Sequence, residues 1–134
     1  MRRLKPRTGK TGLEKHEQGA LKRWCDLSKI EMVHIPNEGK RRIQHLVELL
    51  EQGLRPGFPD VIVFLPPART IFIELKQSRN YTASEQKTQT WRNQQAWLDW
   101  LNSNGYAAKR CFGCQDAINF INTQKSLNHD NITA

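Results

Sequence analysis

The fold is decided by one stretch of the chain, Pro59-Asp-Val-Ile-Val-Phe-Leu-Pro-Pro-Ala-Arg-Thr-Ile-Phe-Ile-Glu-Leu-Lys76. Val61–Leu65 is β-branched, aromatic or aliphatic throughout and has no polar face, which predicts a strand buried within a sheet. Two prolines end that strand, and residues 70–76 predict a second one. Because only a short turn separates the two strands, we expect them to pair as a hairpin.

Helices and strands are predicted on both sides of this hairpin from the spacing of their apolar residues. In chain order they are a helix over residues 13–28, a strand over 32–35, a helix over 38–52, a long helix ending before Asn104, a strand over 106–112 and a helix over 115–121. Gly53 is the expected C-terminal cap of the second helix, and residues 77–84 are an expected polar connection. The order αβαββαβα mixes hairpin and crossover connections, so the expected fold is α/β, with a mixed central sheet flanked by helices.

The charge balance of the chain favours a polyanionic partner. Twenty-one Lys and Arg residues outnumber thirteen Asp and Glu residues and leave a net charge of +8, and nucleic acid is the commonest partner of such a surface. We expect residues 1–12 to form a flexible basic arm, residues 13–125 the folded domain and residues 126–134 a polar tail. The longest apolar run is too short to span a bilayer, the basic N-terminus lacks the apolar segment of a secretory signal, and three cysteines fit a reducing cytoplasm.

Two carboxylates and a lysine are predicted to meet on the hairpin. Side chains alternate along a strand, so Glu74 and Lys76 project from the same face. Pairing through the turn brings Asp60, at the entrance of the preceding strand, close to Glu74. Neighbouring carboxylates repel each other, and bound Mg²⁺ or Mn²⁺ relieves that repulsion, activates water and polarises a phosphodiester. Lys76 could then orient the water or stabilise charge in the transition state. The alternative is an ordinary Glu–Lys pair on a surface hairpin.

Two further polar residues lie on helix faces that are otherwise apolar. Glu17 is four residues from Leu13 and from Leu21, so it faces the core side of the first predicted helix. It is interpreted as an additional metal ligand or as a partly exposed residue at the helix edge, because a buried unpaired carboxylate is costly. Gln94 lies three residues before Trp97 on a similar stripe, where its amide would bond the substrate, the lysine or a purely structural partner.

Five elements follow one another along the chain in a set order. They are Glu17-Gln-Gly-Ala-Leu21, Ile35-Pro-Asn-Glu-Gly-Lys40, Gly57-Phe-Pro-Asp60, Phe72-Ile-Glu-Leu-Lys76, and Gln94-Gln-Ala-Trp-Leu98 with Gly105-Tyr106 behind it. Together they resemble the VRR-NUC family, within the PD-(D/E)xK restriction-endonuclease-like superfamily, over about residues 14–121. The similarity is greatest to the short single-domain members found in phages and bacteria.

The resemblance implies a restriction-endonuclease-like core and a Mg²⁺- or Mn²⁺-dependent DNA endonuclease. The residues that it assigns to the site are Asp60, Glu74, Glu17 and the backbone carbonyl of Leu75 as metal ligands, with Lys76 as the catalytic lysine and Gln94 as the motif glutamine. Compact members are similar to homodimeric Holliday-junction resolvases, which implies branched DNA, a homodimer and the cytoplasm of a bacterial or phage-infected cell. The connection after residue 76 is longer than the family pattern, so Gln86 stays an alternative to Gln94.

Several residues and functions remain open at this point. The candidate DNA contacts, which could equally be a solvated helix end, are Asn37, Lys40, Arg41 and Arg42. Trp100, which lies off the helix stripe formed by Trp91 and Trp97, could line a dimer contact or stack on a base. Two other classes of function are a non-catalytic nucleic-acid-binding module and a redox protein that uses Cys111 and Cys114, which would need a thiol with a depressed pKa.

Overall fold

The computed structural model describes residues 12–36 and 43–133. Its elements are α1 (Gly12–Leu27), β1 (Glu31–His34), α2 (Ile43–Glu51), β2 (Val61–Leu65), β3 (Arg69–Lys76), α3 (Ala83–Gln86), α4 (Gln89–Ser103), β4 (Ala107–Phe112) and α5 (Cys114–Thr133). The predicted order is confirmed, with the short helix α3 added inside the expected polar connection. Residues 1–11 of the predicted basic arm, the loop around Asn37 and the start of the second predicted helix lie outside the described residues.

The four strands form one mixed sheet in the order β1-β2-β3-β4. β1 and β2 are antiparallel, β2 and β3 are antiparallel, and β3 and β4 are parallel. The predicted hairpin is therefore confirmed as the centre of the sheet, with Val61 opposite Ile73 and Leu65 opposite Arg69. This arrangement confirms the α/β fold expected from the element order.

The main core lies on one face of this sheet. Six alternating side chains of the hairpin are at most 3% exposed there, namely Val61, Val63, Leu65, Ile71, Ile73 and Leu75. Leu21 and Cys25, one helical turn apart on α1, pack against them, as does Ile121 of α5. Burying one such side chain contributes about 1.5–3 kcal/mol, so this face accounts for most of the hydrophobic stabilisation.

The opposite face of the sheet is covered by α4, which packs Leu98 and Leu101 against Ala108 and Phe72. This cover does not reach the far end of β2, where Phe64 is 43% exposed. The prediction that β2 is buried on both faces is therefore wrong at this residue, because a strand's burial depends on which helix lies over it. No described helix is long and apolar enough to cross a membrane.

Short-range signals explain the helix ends. Gly53, at φ +104°, follows α2, where the Leu54 amide donates to the Leu49 carbonyl, so the predicted glycine cap is confirmed. Thr82 and Glu85 form a capping box that starts α3. The Thr88 hydroxyl accepts from the Trp91 amide at the start of α4.

α5 is longer than predicted. The sequence predicts that it ends at Ile121 and that residues 126–134 form a polar tail, whereas the structure continues the helix to Thr133. The Asn128 side-chain amide donates to the carbonyl of Leu65, 3.3 Å away, and Arg69 Nε donates to Gln124 Oε1 over 3.2 Å. These contacts tie the distal half of the helix to the β2–β3 turn, and apolar periodicity carries no information about them.

Candidate active site

Asp60 and Glu74 meet at the open end of the hairpin. Val61 pairs with Ile73, so Asp60, the residue before β2, lies beside Glu74 at the end of the ladder. Their exposed fractions are only 1% and 2%. The structure therefore brings together the two carboxylates that the sequence placed at one site.

Hydrogen bonds hold Asp60 from both sides. Its Oδ1 accepts the backbone amide of Leu75 over 3.0 Å. Its carbonyl accepts the amide of Ile35 over 2.8 Å and lies 3.0 Å from Nδ1 of His34. Because its backbone and its side chain are both bonded, the Asp60 carboxylate has a defined position beside β3.

The loop that leads to Asp60 is docked on α4 through a glycine. Gly57 has φ +83°, and a Cβ built on it would lie 2.6 Å from the carbonyl carbon of Asn93 and 2.7 Å from the amide nitrogen of Gln94. Phe58 then packs edge-on against Phe72, with ring centroids 5.9 Å apart. A glycine is therefore required for the close approach of this loop to the helix.

Lys76 lies beside Glu74, as its spacing on the strand predicted. Its Nζ is 3.8 Å from Glu74 Oε1 and 5.4 Å from the centroid of the Trp91 ring. Its carbonyl accepts the amide of Gly113 over 2.8 Å, which fixes the end of β3 against the start of α5. The ammonium is thus held between a carboxylate and an aromatic face.

Glu17 is placed differently from the expectation. Its Oε2 accepts the backbone amide of Cys114 in a short hydrogen bond at the start of α5, and Gly113 is close enough that an added Cβ would lie 3.2 Å from this oxygen. A carboxylate is stabilised there by the unpaired amides and the positive end of the helix dipole. Across residues 12–36 and 43–133 there is no group of three His, Cys, Asp or Glu side chains able to hold a metal ion. The expected three-carboxylate cluster is therefore not formed.

Gln94 and Gln86 have very different surroundings. Gln94 is 6% exposed on α4, and its Oε1 is buried with no hydrogen-bond partner among the residues described. Gln86 is exposed on α3 and donates from Nε2 to the Tyr81 carbonyl. Of these two glutamines, Gln94 is the one with a buried polar atom left for a ligand, which favours it as the motif glutamine.

Arg110 is a neighbour of the site that the sequence reasoning missed. It is the partner of Glu74 in the parallel β3–β4 ladder, so the two side chains share a face. Its guanidinium carbon lies 3.9 Å from the centroid of the Trp91 ring. The only signal in the sequence is the alternation of the last strand, which becomes useful once its register with β3 is known.

The three cysteines are free thiols. Burial raises the pKa of Cys111 to about 12 and that of Cys25 to about 11. Burial and the nearby Glu17 carboxylate also raise the pKa of Cys114. A thiol with a raised pKa is a poor nucleophile, so the surroundings of these cysteines do not favour redox chemistry.

The proposed DNA contacts Asn37, Lys40, Arg41 and Arg42 lie in the segment 37–42, outside the part of the chain that the structure describes. Their role stays a prediction.

Comparison with known proteins agrees with the fold. A family model of the VRR-NUC domain matches residues 13–115. A solved VRR_NUC domain protein has 22% sequence identity and a TM-score of 0.61, with 85% of this chain and 88% of the other covered, a likeness that shows the fold. A search of curated proteins finds no match. VRR-NUC domains are nuclease-type domains, which implies a DNA substrate. Because the matched residues make up most of its 134 positions, the chain belongs to the VRR-NUC domain family.

Proposed function

We propose that this protein is a Mg²⁺- or Mn²⁺-dependent endonuclease that hydrolyses phosphodiester bonds in DNA, with Asp60, Glu74 and Lys76 at its active site. The observation that carries the proposal is the pair of buried carboxylates where β2 begins beside β3, with an ammonium 3.8 Å from one of them. Two buried anions side by side are unfavourable unless cations compensate them.

The donor set suits a hard divalent cation. Mg²⁺ takes oxygen ligands, typically one or two carboxylates together with water and substrate phosphate. The Leu75 amide points at Asp60, and the amide and carbonyl of one strand residue point to the same side. The Leu75 carbonyl is therefore aimed at the same end of β2, where it would add a third oxygen to those of Asp60 and Glu74.

The chain's own residues would divide the remaining work. A bound divalent cation polarises the phosphodiester and lowers the pKa of a water molecule. Lys76 stands next to Glu74, where its ammonium orients the attacking water or stabilises the charge that develops on the phosphate. The buried Oε1 of Gln94 offers a hydrogen-bond acceptor to that water or to the substrate.

The substrate proposed is branched DNA such as a Holliday junction, cut by a homodimer. It is supported by the resemblance to compact VRR-NUC proteins and by a net charge of +8, which suits a large polyanionic surface. A second function, a non-catalytic nucleic-acid-binding module, fits the charge equally well. It leaves the buried carboxylates without a role, because they would repel a bound phosphate backbone.

A cleavage assay on four DNA substrates tests the proposal. Wild-type protein is incubated with a four-way junction, a flap, a fork and a linear duplex, each with Mg²⁺, Mn²⁺ or EDTA. We expect cleavage with either metal, none with EDTA, and paired symmetric cuts on the junction. Lys76→Ala should abolish cleavage and retain DNA binding, whereas Lys22→Ala, which removes an exposed surface charge, should cut normally. Salt-sensitive binding without cleavage of any substrate would establish the binding module instead.

A further inference from the structure

Arg110 of β4 is a charged residue that the proposed chemistry does not use. It is paired with Glu74 in the parallel ladder, and neighbouring strands of a sheet lie roughly 4.8 Å apart, so the two side chains start from adjacent backbone positions. A guanidinium stays protonated at every pH at which the fold exists. Glu74 therefore shares its face of the sheet with two basic side chains, Lys76 on its own strand and Arg110 on the next.

Three contacts hold this guanidinium against the first turns of α4. It stacks on the Trp91 ring, Nη2 donates to the Trp91 carbonyl over 3.2 Å, and Nη1 donates to Gln95 Oε1 over 2.6 Å. Lys76 Nζ approaches the same indole at 5.4 Å. The Trp91 ring therefore lies next to two cationic side chains, and the stacked Arg110 guanidinium holds this ring beside Lys76.

The surroundings of Arg110 are energetically unfavourable for a charged side chain. Burial lowers the pKa of Arg110, although the charge of Glu74 opposes that shift. Its Nε is buried and finds no acceptor within the described ranges. A buried donor without an acceptor calls for an explanation, and the pairing of Arg110 with Glu74 on the adjacent strand supplies a reason for a cation at this position.

We propose that Arg110 is a positioning residue of the active site with two separable effects. Its charge, with that of Lys76, balances Asp60 and Glu74 and so weakens the binding of a divalent cation to the protein alone. Its planar guanidinium, stacked on Trp91, holds the indole in a fixed position, and the indole in turn positions the Lys76 ammonium. This inference rests on the metal-dependent function proposed above.

Two variants separate charge from shape. Arg110→Gln removes both the charge and the stacked fork, whereas Arg110→Lys keeps the charge and loses the planar stack. The matched control is Lys109→Gln, which removes one positive charge from the adjacent position of β4. Strand alternation points Lys109 to the other face, where it pairs with Asp116 at 3.0 Å.

The first readout is the titration of Mn²⁺ alone into metal-free protein by calorimetry, without DNA. Arg110→Gln should bind Mn²⁺ about 3- to 10-fold more tightly than wild type, because a nearby like charge has been removed. Arg110→Lys and Lys109→Gln should bind within about 2-fold of wild type, since the first keeps the charge and the second is screened by solvent.

The second readout is cleavage at saturating Mn²⁺. In both Arg110 variants kcat should fall by about 10- to 100-fold while KM changes less than about 3-fold. A displaced Lys76 weakens the stabilisation of the transition state more than it weakens substrate binding. Thermal unfolding checks that the variants are folded. If Arg110→Gln does not fold, wild-type kcat in Arg110→Lys by itself contradicts the proposal.

Failure of this inference and failure of the proposed function give different results. Wild type that neither binds Mn²⁺ nor cleaves DNA contradicts the proposed function. Wild type that does both, while Arg110→Gln matches Lys109→Gln in Mn²⁺ affinity and in kcat, overturns only the role of Arg110.

Discussion

Replacing Gly57 with alanine should destabilise the fold and slow cleavage at the same time. The added methyl would lie 2.6–2.7 Å from the backbone of Asn93 and Gln94, which cannot rotate away as a flexible side-chain end can. The loop must therefore move off α4. That loop leads within three residues to Asp60, so the shift displaces a carboxylate of the proposed site.

The magnitude can be worked out from two separate costs. A non-glycine residue at positive φ costs about 1–2 kcal/mol, and displacing packed atoms adds about 1–3 kcal/mol. The free energy of unfolding of Gly57→Ala should therefore fall by about 2–5 kcal/mol. Gly53→Ala is the matched control, because Gly53 also has positive φ but has nothing within 4 Å of the added Cβ. Only the first cost, about 1–2 kcal/mol, applies there.

Urea unfolding of wild type and both variants measures the stability difference, and cleavage below the unfolding transition measures the effect on the site. We expect cleavage by Gly57→Ala to drop by about 100-fold, as for a displacement of about 1 Å in a catalytic group. Cleavage by Gly53→Ala should stay near wild type. Equal stability of the two variants, with unchanged cleavage in Gly57→Ala, would refute the reasoning.

Three further predictions follow from individual contacts. Glu17→Ala should lower the free energy of unfolding by about 1 kcal/mol, because the start of α5 loses its cap; a loss of Mn²⁺ affinity above about 100-fold would instead identify Glu17 as a metal ligand. In folded protein at pH 8, iodoacetamide should leave Cys111 unmodified, since a pKa of about 12 keeps it protonated until far higher pH, and rapid labelling of Cys111 measured by mass spectrometry would contradict this. Asn128→Ala should speed hydrogen exchange in the distal half of α5 and leave cleavage unchanged, because its bonds anchor the helix to the β2–β3 turn and lie away from Asp60; equal exchange in variant and wild type would show that other contacts hold the helix.

The central hairpin was predictable because its signals are local. An uninterrupted apolar run defined β2, two prolines placed the turn, and alternation put Glu74 and Lys76 on one face. The capping box of Thr82 and Glu85 is equally local, so the sequence contains a recognisable signal for α3 at the end of the stretch predicted as a polar connection.

The parts that sequence reasoning missed depend on contacts between distant elements. Arg110 is next to Glu74 only because β4 runs parallel to β3 in one particular register. Glu17 does face inward, as its helical stripe predicted, but its partner is an amide at the start of α5. The residue spacing within α1 carries no information about which group outside the helix Glu17 contacts.

The central claim is that Asp60 serves the reaction through its charge, and Asp60→Asn tests it most directly. Asparagine keeps an oxygen that can accept the Leu75 amide, so the fold should survive, while the charge that a divalent cation needs is removed. The measurement is the single-turnover cleavage rate of a four-way junction in Mg²⁺ for wild type and Asp60→Asn, both folded by circular dichroism. We predict a fall of at least about 100-fold in the variant. A variant that cuts at the wild-type rate would contradict the account.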